Sequence, residues 1–359
     1  MRHKNLTLQR YLGILVALVL AVLGLTGSIL VFHKEIDSVF YPVSSIRVTA
    51  TPSIEQIADV VKQNYPDSNL LSISLNSQPI HVVVSDKDKF FRQRSDIYIN
   101  LDNNQIVSVM GRNGTITGII SQIHTSFLAG EAGHVIVGVC GLLLIARAIG
   151  GLIIFPGWKK LSTGFKIRWK APSHLITYDF HKIIGIVAAV FLILSGITGA
   201  LLVFDKEAMI LGYRLSMLTP IAEPVSVVQQ DAQKPTLDNF LHTAETILPG
   251  GETTFIYPAI NSKDTVRIRK RLPGDFNPNG SSYVYLNQYN GEVLQVKNIK
   301  YAPWFEKVLA WMYPIHIGKF AGAPMRFIYV ILGLTPVALF ITGFVIFWSK
   351  TYGAMSRKV

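Results

Sequence analysis

The sequence predicts an integral membrane fold: a four-helix transmembrane bundle made of two tandem repeats, with two α+β domains on the side of the membrane opposite both termini. Three observations predict it. Half of the 359 residues are hydrophobic, yet the apolar residues gather in four stretches. The basic residues gather in the short segments between and beyond those stretches. The first half of the chain also aligns on the second.

The four apolar runs are Tyr11 to Phe32, Gly133 to Phe155, Lys182 to Phe204 and Arg326 to Trp348. Each is close to the ~20 residues with which a helix crosses ~30 Å of hydrocarbon. They assign residues 1–32, 133–155, 182–204 and 326–348 to transmembrane helices. The outer segments are then 33–132 and 205–325, with a loop at 156–181 and a tail at 349–359. The first run is expected to stay in the mature chain, because Phe32-His33-Lys34-Glu35 does not make a small-residue cleavage site.

Charge sets the orientation. Met1 to Arg10 holds three basic residues and no acidic one, Pro156 to Lys182 six and one, and Ser349 to Val359 three and none. The segments His33 to Ala132 and Asp205 to Met325 are nearly neutral, so almost all of the net +12 lies in the three short segments. Both termini and the middle loop are therefore expected on the cytoplasmic side. The basic pI is this positive-inside signal and no nucleic-acid footprint; the bilayer is the partner it implies. A lone Cys140 excludes an intrachain disulfide and any CxxC site.

A shift of 172 aligns the first run on the third without a gap, matching Gly24, Thr26, Gly27, Lys34 and Glu35 with Gly196, Thr198, Gly199, Lys206 and Glu207. A shift of 192 aligns IHTSFLAG at Ile123 to Gly130 with IHIGKFAG at Ile315 to Gly322. Each repeat is helix, outer domain, helix, and equivalent helices run the same way, which predicts a pseudo-twofold axis along the membrane normal. The Gly and Thr pattern is expected to permit close helix contact.

In the first outer segment Ser53 should cap the helix SIEQIADVVKQNY, followed by strands in ISLNSQPIHVVV, DIYINL and QIVSVMG, with a turn at Asp102 to Asn104. In the second, TLDNFLHTAETIL is the helix, and strands follow in TTFIYPAI, DTVRIRKRL and SYVYLNQYNGEVLQV, with Asn290-Gly291 as a hairpin turn. Neither holds a Ser/His/Asp order, a carboxylate pair on one element or a phosphate-cradling glycine loop. Arg267, Arg269 and Arg271 share one face of their strand by the two-residue period, either as a solvated or headgroup-facing edge or as a contact for an anionic ligand or partner.

The span LGILVALVLAVLGLTGSILVF, the motifs IHTSFLAG and IHIGKFAG, the start YDFHKIIG of the third span and the hairpin NGEV together resemble the PepSY-associated transmembrane family. The resemblance covers nearly the whole chain. It implies periplasmic PepSY-like outer domains in a bacterial inner membrane and a likeness to the FoxB-type ferric-siderophore reductases, which carry haem. Gln9 stands where the family commonly has His.

The resemblance directs attention to the histidines in or beside the spans, where polar residues are costly. His124 and His316 are repeat equivalents and are expected at one depth, as axial ligands of a b-type haem or as interfacial caps. His33 and His134 are a second candidate pair on the outer side, at positions whose equivalents are Asp205 and Arg326. His181 is the candidate inner ligand, with His3 or a Met thioether as its partner. His174, seven residues earlier, would project from the same helix face. Arg147 lies ~13 Å of helix from the cytoplasmic end of its span, where a haem propionate would suit it. His81 and His242 read as ordinary surface residues.

These readings combine into a haem b protein, with two haems expected, that passes electrons from a quinol or protein donor to a ferric siderophore in iron uptake. Reduction releases the iron because oxygen-rich chelators favour the harder ferric ion. A membrane anchor whose outer domains bind a protein partner is the rival reading. A permease is disfavoured by the few polar residues in the spans and the lack of a broken helix beyond Pro336.

Overall fold

The computed structural model describes residues 2–41, 53–77, 80–86, 94–100, 105–111, 114–228 and 234–352, with side chains described from residue 11 to residue 351. The turn expected at Asp102 to Asn104 and the side chains of His3 and Gln9 lie outside the described residues. In chain order the elements are α1 (Arg2–Leu30), α2 (His33–Phe40), α3 (Ile54–Asn64), β1 (Ser68–Ser74), β2 (Ile80–Asp86), β3 (Arg94–Asn100), β4 (Gln105–Gly111), α4 (Ile116–Ser126) and α5 (Gly130–Ile153). There follow α6 (Leu161–Gly164), α7 (Ser173–Val203), α8 (Asp205–Leu215), α9 (Leu237–Ile247), β5 (Glu252–Tyr257), β6 (Thr265–Arg271), β7 (Ser282–Asn287), β8 (Val293–Lys297), α10 (Trp304–His316), α11 (Gly322–Gly333) and α12 (Thr335–Tyr352). The chain forms two compact units, one of Met1–His33, Ile120–Ala208 and Ile315–Val359, the other of Lys34–Ile119 and Met209–Pro314.

The first unit is helical. Among the described residues four helical stretches are long and apolar enough to cross a membrane: Tyr11–Leu30, Gly130–Trp158, Ser173–Val203 and Lys319–Thr351. The third helix starts well before the expected Lys182, which puts His181 inside α7. Asp179 explains the early start: its buried carboxylate accepts from Arg168 Nε at 2.9 Å and Lys182 Nζ at 3.2 Å, tying the preceding loop to the helix. The fourth stretch is broken between Gly333 and Thr335. Pro336 has no N–H to offer the Leu332 carbonyl, and the Thr335 hydroxyl serves it instead at 2.5 Å.

The glycines expected to bring helices together do so at two equivalent places. A Cβ on Gly24 would lie 2.6 Å from the Gly333 carbonyl oxygen, and one on Gly196 would lie 2.8 Å from that of Gly141. At both places backbones meet because no side chain stands between them.

The second unit is built on one eight-stranded antiparallel sheet in the order β4-β3-β2-β1-β5-β6-β7-β8. The sequence reads two separate domains of three or four strands each. Instead the strands of both segments join through β1 and β5, where Ile73 pairs with Ile256 and Ser74 with Phe255. The run ISLNSQPIHVVV is not one strand but the hairpin β1-β2. Outward from the β1-β5 seam each half presents its first, second, third and fourth strand.

α3 and α9 cover one face of this sheet, and Ile57, Val61, Phe240 and Ala244 close a core over Ile73, Val82, Ile97, Ile256, Ile268 and Val284. Ser53 caps α3 as expected, accepting from Gln56 N. The two helices also cap each other. The Asp238 carboxylate accepts from Ser53 Oγ at 2.6 Å and Ile54 N at 2.8 Å, and Glu55 Oε2 accepts from Leu237 N at 2.6 Å. Each carboxylate thus satisfies orphan N–H groups at the other helix's positive end.

Candidate histidine site in the helical unit

Backbone hydrogen bonding dictates the state of the histidines. His124 Nδ1 lies 3.1 Å from the Leu23 carbonyl and 3.1 Å from Thr26 Oγ1. A carbonyl only accepts, so Nδ1 carries the proton and Nε2 keeps its lone pair. His316 reaches the same state by another route: its Nδ1 lies 2.9 Å from Thr198 Oγ1, whose one proton goes to the Leu194 carbonyl at 2.9 Å. The hydroxyl can only accept from the ring, which again leaves Nε2 bare.

The pattern occurs a third time. His181 Nδ1 lies 2.8 Å from Thr342 Oγ1, which donates to the Ala338 carbonyl at 2.7 Å. In every case the residue after the threonine is glycine, and the imidazole rests on it. A Cβ added at Gly27 would be 2.9 Å from His124 Cε1, at Gly199 3.2 Å from His316 Cε1, and at Gly343 3.5 Å from His181 Cε1. The Thr-Gly dipeptide is therefore a histidine dock in which the hydroxyl fixes the tautomer and the missing side chain leaves room for the ring. The sequence reading assigns Thr26 and Thr198 to helix contact and overlooks this role. The dipeptide stands in the sequence at 26–27, 198–199 and 342–343, but also at 117–118 and 163–164, so only its place within an apolar span marks the docks.

The structure brings His124 and His316 together, with ring centres 6.2 Å apart and planes tilted by 44°. The turn that carries the chain from His124 into α5 is strained: Phe127 and Leu128 both have left-handed backbones, at φ 48° and 61°. Beyond His316 glycines serve, Gly318 at φ 68° and Gly322 at φ 76°. His134 donates from Nδ1 to the Thr125 carbonyl at 3.0 Å, and His33 to the Leu30 carbonyl at 2.8 Å. Of the two expected pairs, His124 and His316 are shown in ring contact. His174 and His242 are exposed, and His81 bonds Asp96 at 2.7 Å in the sheet.

The half-site at His181 is one-sided. The shifts of 172 and 192 set Gln9 against His181, and Gly150 and Gly151 against Thr342 and Gly343. The first half thus lacks both the ring and the hydroxyl that would hold it. Arg147 stands where the second half has Leu339, its Nη2 3.4 Å from the Gly13 carbonyl and no carboxylate within ion-pair distance among the described residues.

The donor set suits a haem iron. It offers two imidazoles with bare nitrogens, and no group of three or more His, Cys, Asp or Glu suited to a free ion occurs among the described residues. His124 and His316, with ring centres 6.2 Å apart, are the residues that would hold the haem.

What the fold and this site define is a membrane protein with four spanning helices, a β-rich unit and histidines set into the helical unit. The chain belongs to the PepSY-associated TM region family, whose model matches residues 8–350. No curated protein matches the chain.

Proposed function

We propose that this protein is a haem-carrying reductase of the bacterial inner membrane that delivers electrons to a periplasmic ferric siderophore. The observation that carries the reading is the His124 and His316 pair, each ring held through Nδ1 by a threonine with Nε2 left to ligate. Second-sphere bonds of this kind fix ring orientation and raise ligand basicity. Bound haem would supply reversible one-electron chemistry. The chain's part is to hold its ligands in one tautomer and to keep them among apolar helices. Iron leaves as the ferrous ion because oxygen-rich chelators hold it less tightly than the ferric one.

The same reading takes the chain as a tandem duplication with N and C termini in the cytoplasm. The charge distribution, the matching Thr-Gly docks and the mirrored strand order support it. Reporter fusions after residues 100 and 260 are expected to be active only for a periplasmic reporter, and a fusion after residue 165 only for a cytoplasmic one.

The decisive test is colour. Purified full-length protein is expected to show a Soret band that shifts with dithionite, and His124→Ala or His316→Ala is expected to alter the band or the haem stoichiometry without preventing insertion. A colourless protein would leave the membrane-anchor reading in its place.

A further inference from the structure

The face of the sheet turned away from α3 and α9 carries a pattern that the reductase reading does not use. Two rows of side chains cross it. In one, Arg267 stands between Tyr257 of β5 and Tyr285 of β7; in the other, Arg269 stands between Phe255 and Tyr283. Val266 and Ile268, the alternate residues of β6, point into the core. Each guanidinium leans on its neighbours: Arg267 Cζ is 5.2 Å from the centre of the Tyr257 ring, and Arg269 Cζ is 6.0 Å from that of Phe255 and 5.4 Å from that of Tyr283.

Both arginines are half-buried, and neither has a carboxylate within ion-pair distance among the described residues. Three nearby charged groups are engaged elsewhere, while the exposed Glu223 lies near Tyr285. Lys297, next to Tyr283 on β8, is neutralised by Glu306 at 2.7 Å, and His81 is paired with Asp96. Asp275 takes Asn277 N at 3.0 Å and Ser281 Oγ at 3.1 Å. Arg269 spends its Nε on the Gly280 carbonyl at 2.9 Å, which fixes the guanidinium and leaves its outer nitrogens unbonded. The hydroxyls of Tyr257, Tyr283 and Tyr285 have no hydrogen-bond partner among the described residues. Burial raises Tyr283, and burial with Glu223 nearby pushes Tyr285 up to about 12, so at neutral pH both are donors. The face thus holds donors and aromatic rings, Tyr285 buried among them and Tyr283 half-buried, around two cations that no ion pair among the described residues neutralises. Partly buried cations of this kind call for a ligand that brings the negative charge.

We propose that Arg267 and Arg269, with Tyr257, Tyr283 and Tyr285, form a binding face for an anionic, oxygen-rich ferric chelate of the catecholate or carboxylate class. Planar guanidinium forks match carboxylate and phenolate oxygens, and the flanking rings match flat ligand surfaces. A cationic hydroxamate chelate is disfavoured by the same charges. This assignment rests on the ferric-chelate reading and narrows it to one class of substrate.

The test uses full-length protein in detergent and gallium(III) chelates, which bind as ferric ones do but cannot be reduced, so binding is read apart from electron transfer. Isothermal titration is expected to show binding of gallium tris-catecholate or gallium citrate and none of a cationic gallium trihydroxamate. Arg267→Gln and Arg269→Gln are each expected to weaken binding about tenfold or more. Arg271→Gln, which removes the same charge from an exposed position, is expected to leave it within about twofold. Arg267→Lys keeps the charge without the fork and is expected to fall between wild type and Arg267→Gln, with unchanged haem content reporting an intact fold. Equal binding by the two glutamine variants, preference for the cationic chelate, or arginine-dependent binding of anionic-lipid vesicles alone would overturn the proposal. A protein that shows haem but binds no anionic gallium chelate keeps the reductase and discards this site.

Discussion

His316 donates from Nδ1 to the hydroxyl of Thr198 over 2.9 Å, and it has no alternative, because that hydroxyl already gives its proton to the Leu194 carbonyl. Thr198→Val keeps the shape of the side chain and removes the acceptor. The ring then loses its fixed tautomer and orientation, and haem affinity at this position is expected to fall ~10- to 100-fold. Haem titration of the apoprotein measures this. Thr198→Ser should restore most of the affinity, and an unchanged affinity in Thr198→Val would show that the dock does not serve a ligand.

A second expectation concerns stability. Asp238 takes three donors at the start of α3, from Ser53 Oγ, Ile54 N and Glu55 N, while Glu55 caps α9 in return. Asp238→Ala leaves those donors unserved and is expected to cost about 2 kcal/mol, within the range of lost caps and charged hydrogen bonds. Glu55→Ala in the same chain should cost less than its own single-variant loss, since the caps share one junction. Denaturant unfolding of the sheet unit, followed by β-sheet circular dichroism, gives both values.

A third follows from the phenols of the sheet unit. Burial, followed by the bond to Glu306 at 2.5 Å, pushes Tyr213 up to about 12, and burial does the same to Tyr98 and Tyr285. An unfolded phenol ionises near pH 10. Each of these groups therefore stabilises the fold fully below pH 10 and loses that contribution as pH rises from 10 to 12, where the unfolded state has given up a proton that the folded state keeps. Tyrosinate absorbance should show a late group of phenols that ionise together with loss of the sheet. Tyr213→Phe should narrow the difference between stability at neutral pH and at pH 11. A tyrosine titration complete by pH 10 with the sheet intact would contradict the buried phenols.

Much of this was legible in the sequence because its causes are local. Twenty apolar residues in a row announce a span, and Asn290-Gly291 announces a turn, as Gly291 at φ 76° bears out. The single sheet was not legible, since the pairing of β1 with β5 joins residues more than 180 positions apart and rests on a few backbone bonds that no residue type marks. The role of Thr26 and Thr198 was hidden for a different reason. A threonine that bonds its own helix carbonyl looks like any small residue of a membrane helix, and only the ring placed against it shows that its remaining lone pair is in use. The break at Leu334 lay in plain view at Pro336, but the Thr335 hydroxyl that makes it tolerable needed coordinates.

The last expectation separates a transmembrane reductase from a protein that merely binds haem. An apolar layer of ~30 Å is too long for an electron to cross to the His124 and His316 pair without a relay. Among the described residues the candidate for a second haem position is His181, docked on Thr342 and Gly343. In the first half the matching Gln9, Gly150 and Gly151 supply neither ring nor hydroxyl. His181→Ala is therefore expected to lose an inner haem while the outer one survives. In membrane vesicles the variant should keep a haem that dithionite reduces but should no longer reduce an external ferric chelate when electrons come from the cytoplasmic face. Thr342→Val should weaken the same inner haem without removing it, a graded loss that a collapsed bundle would not give. Full haem content and full reduction rate in His181→Ala would mean that electrons enter from the membrane or from the outer side, and the asymmetry of the half-site at His181 would then have no part in their route.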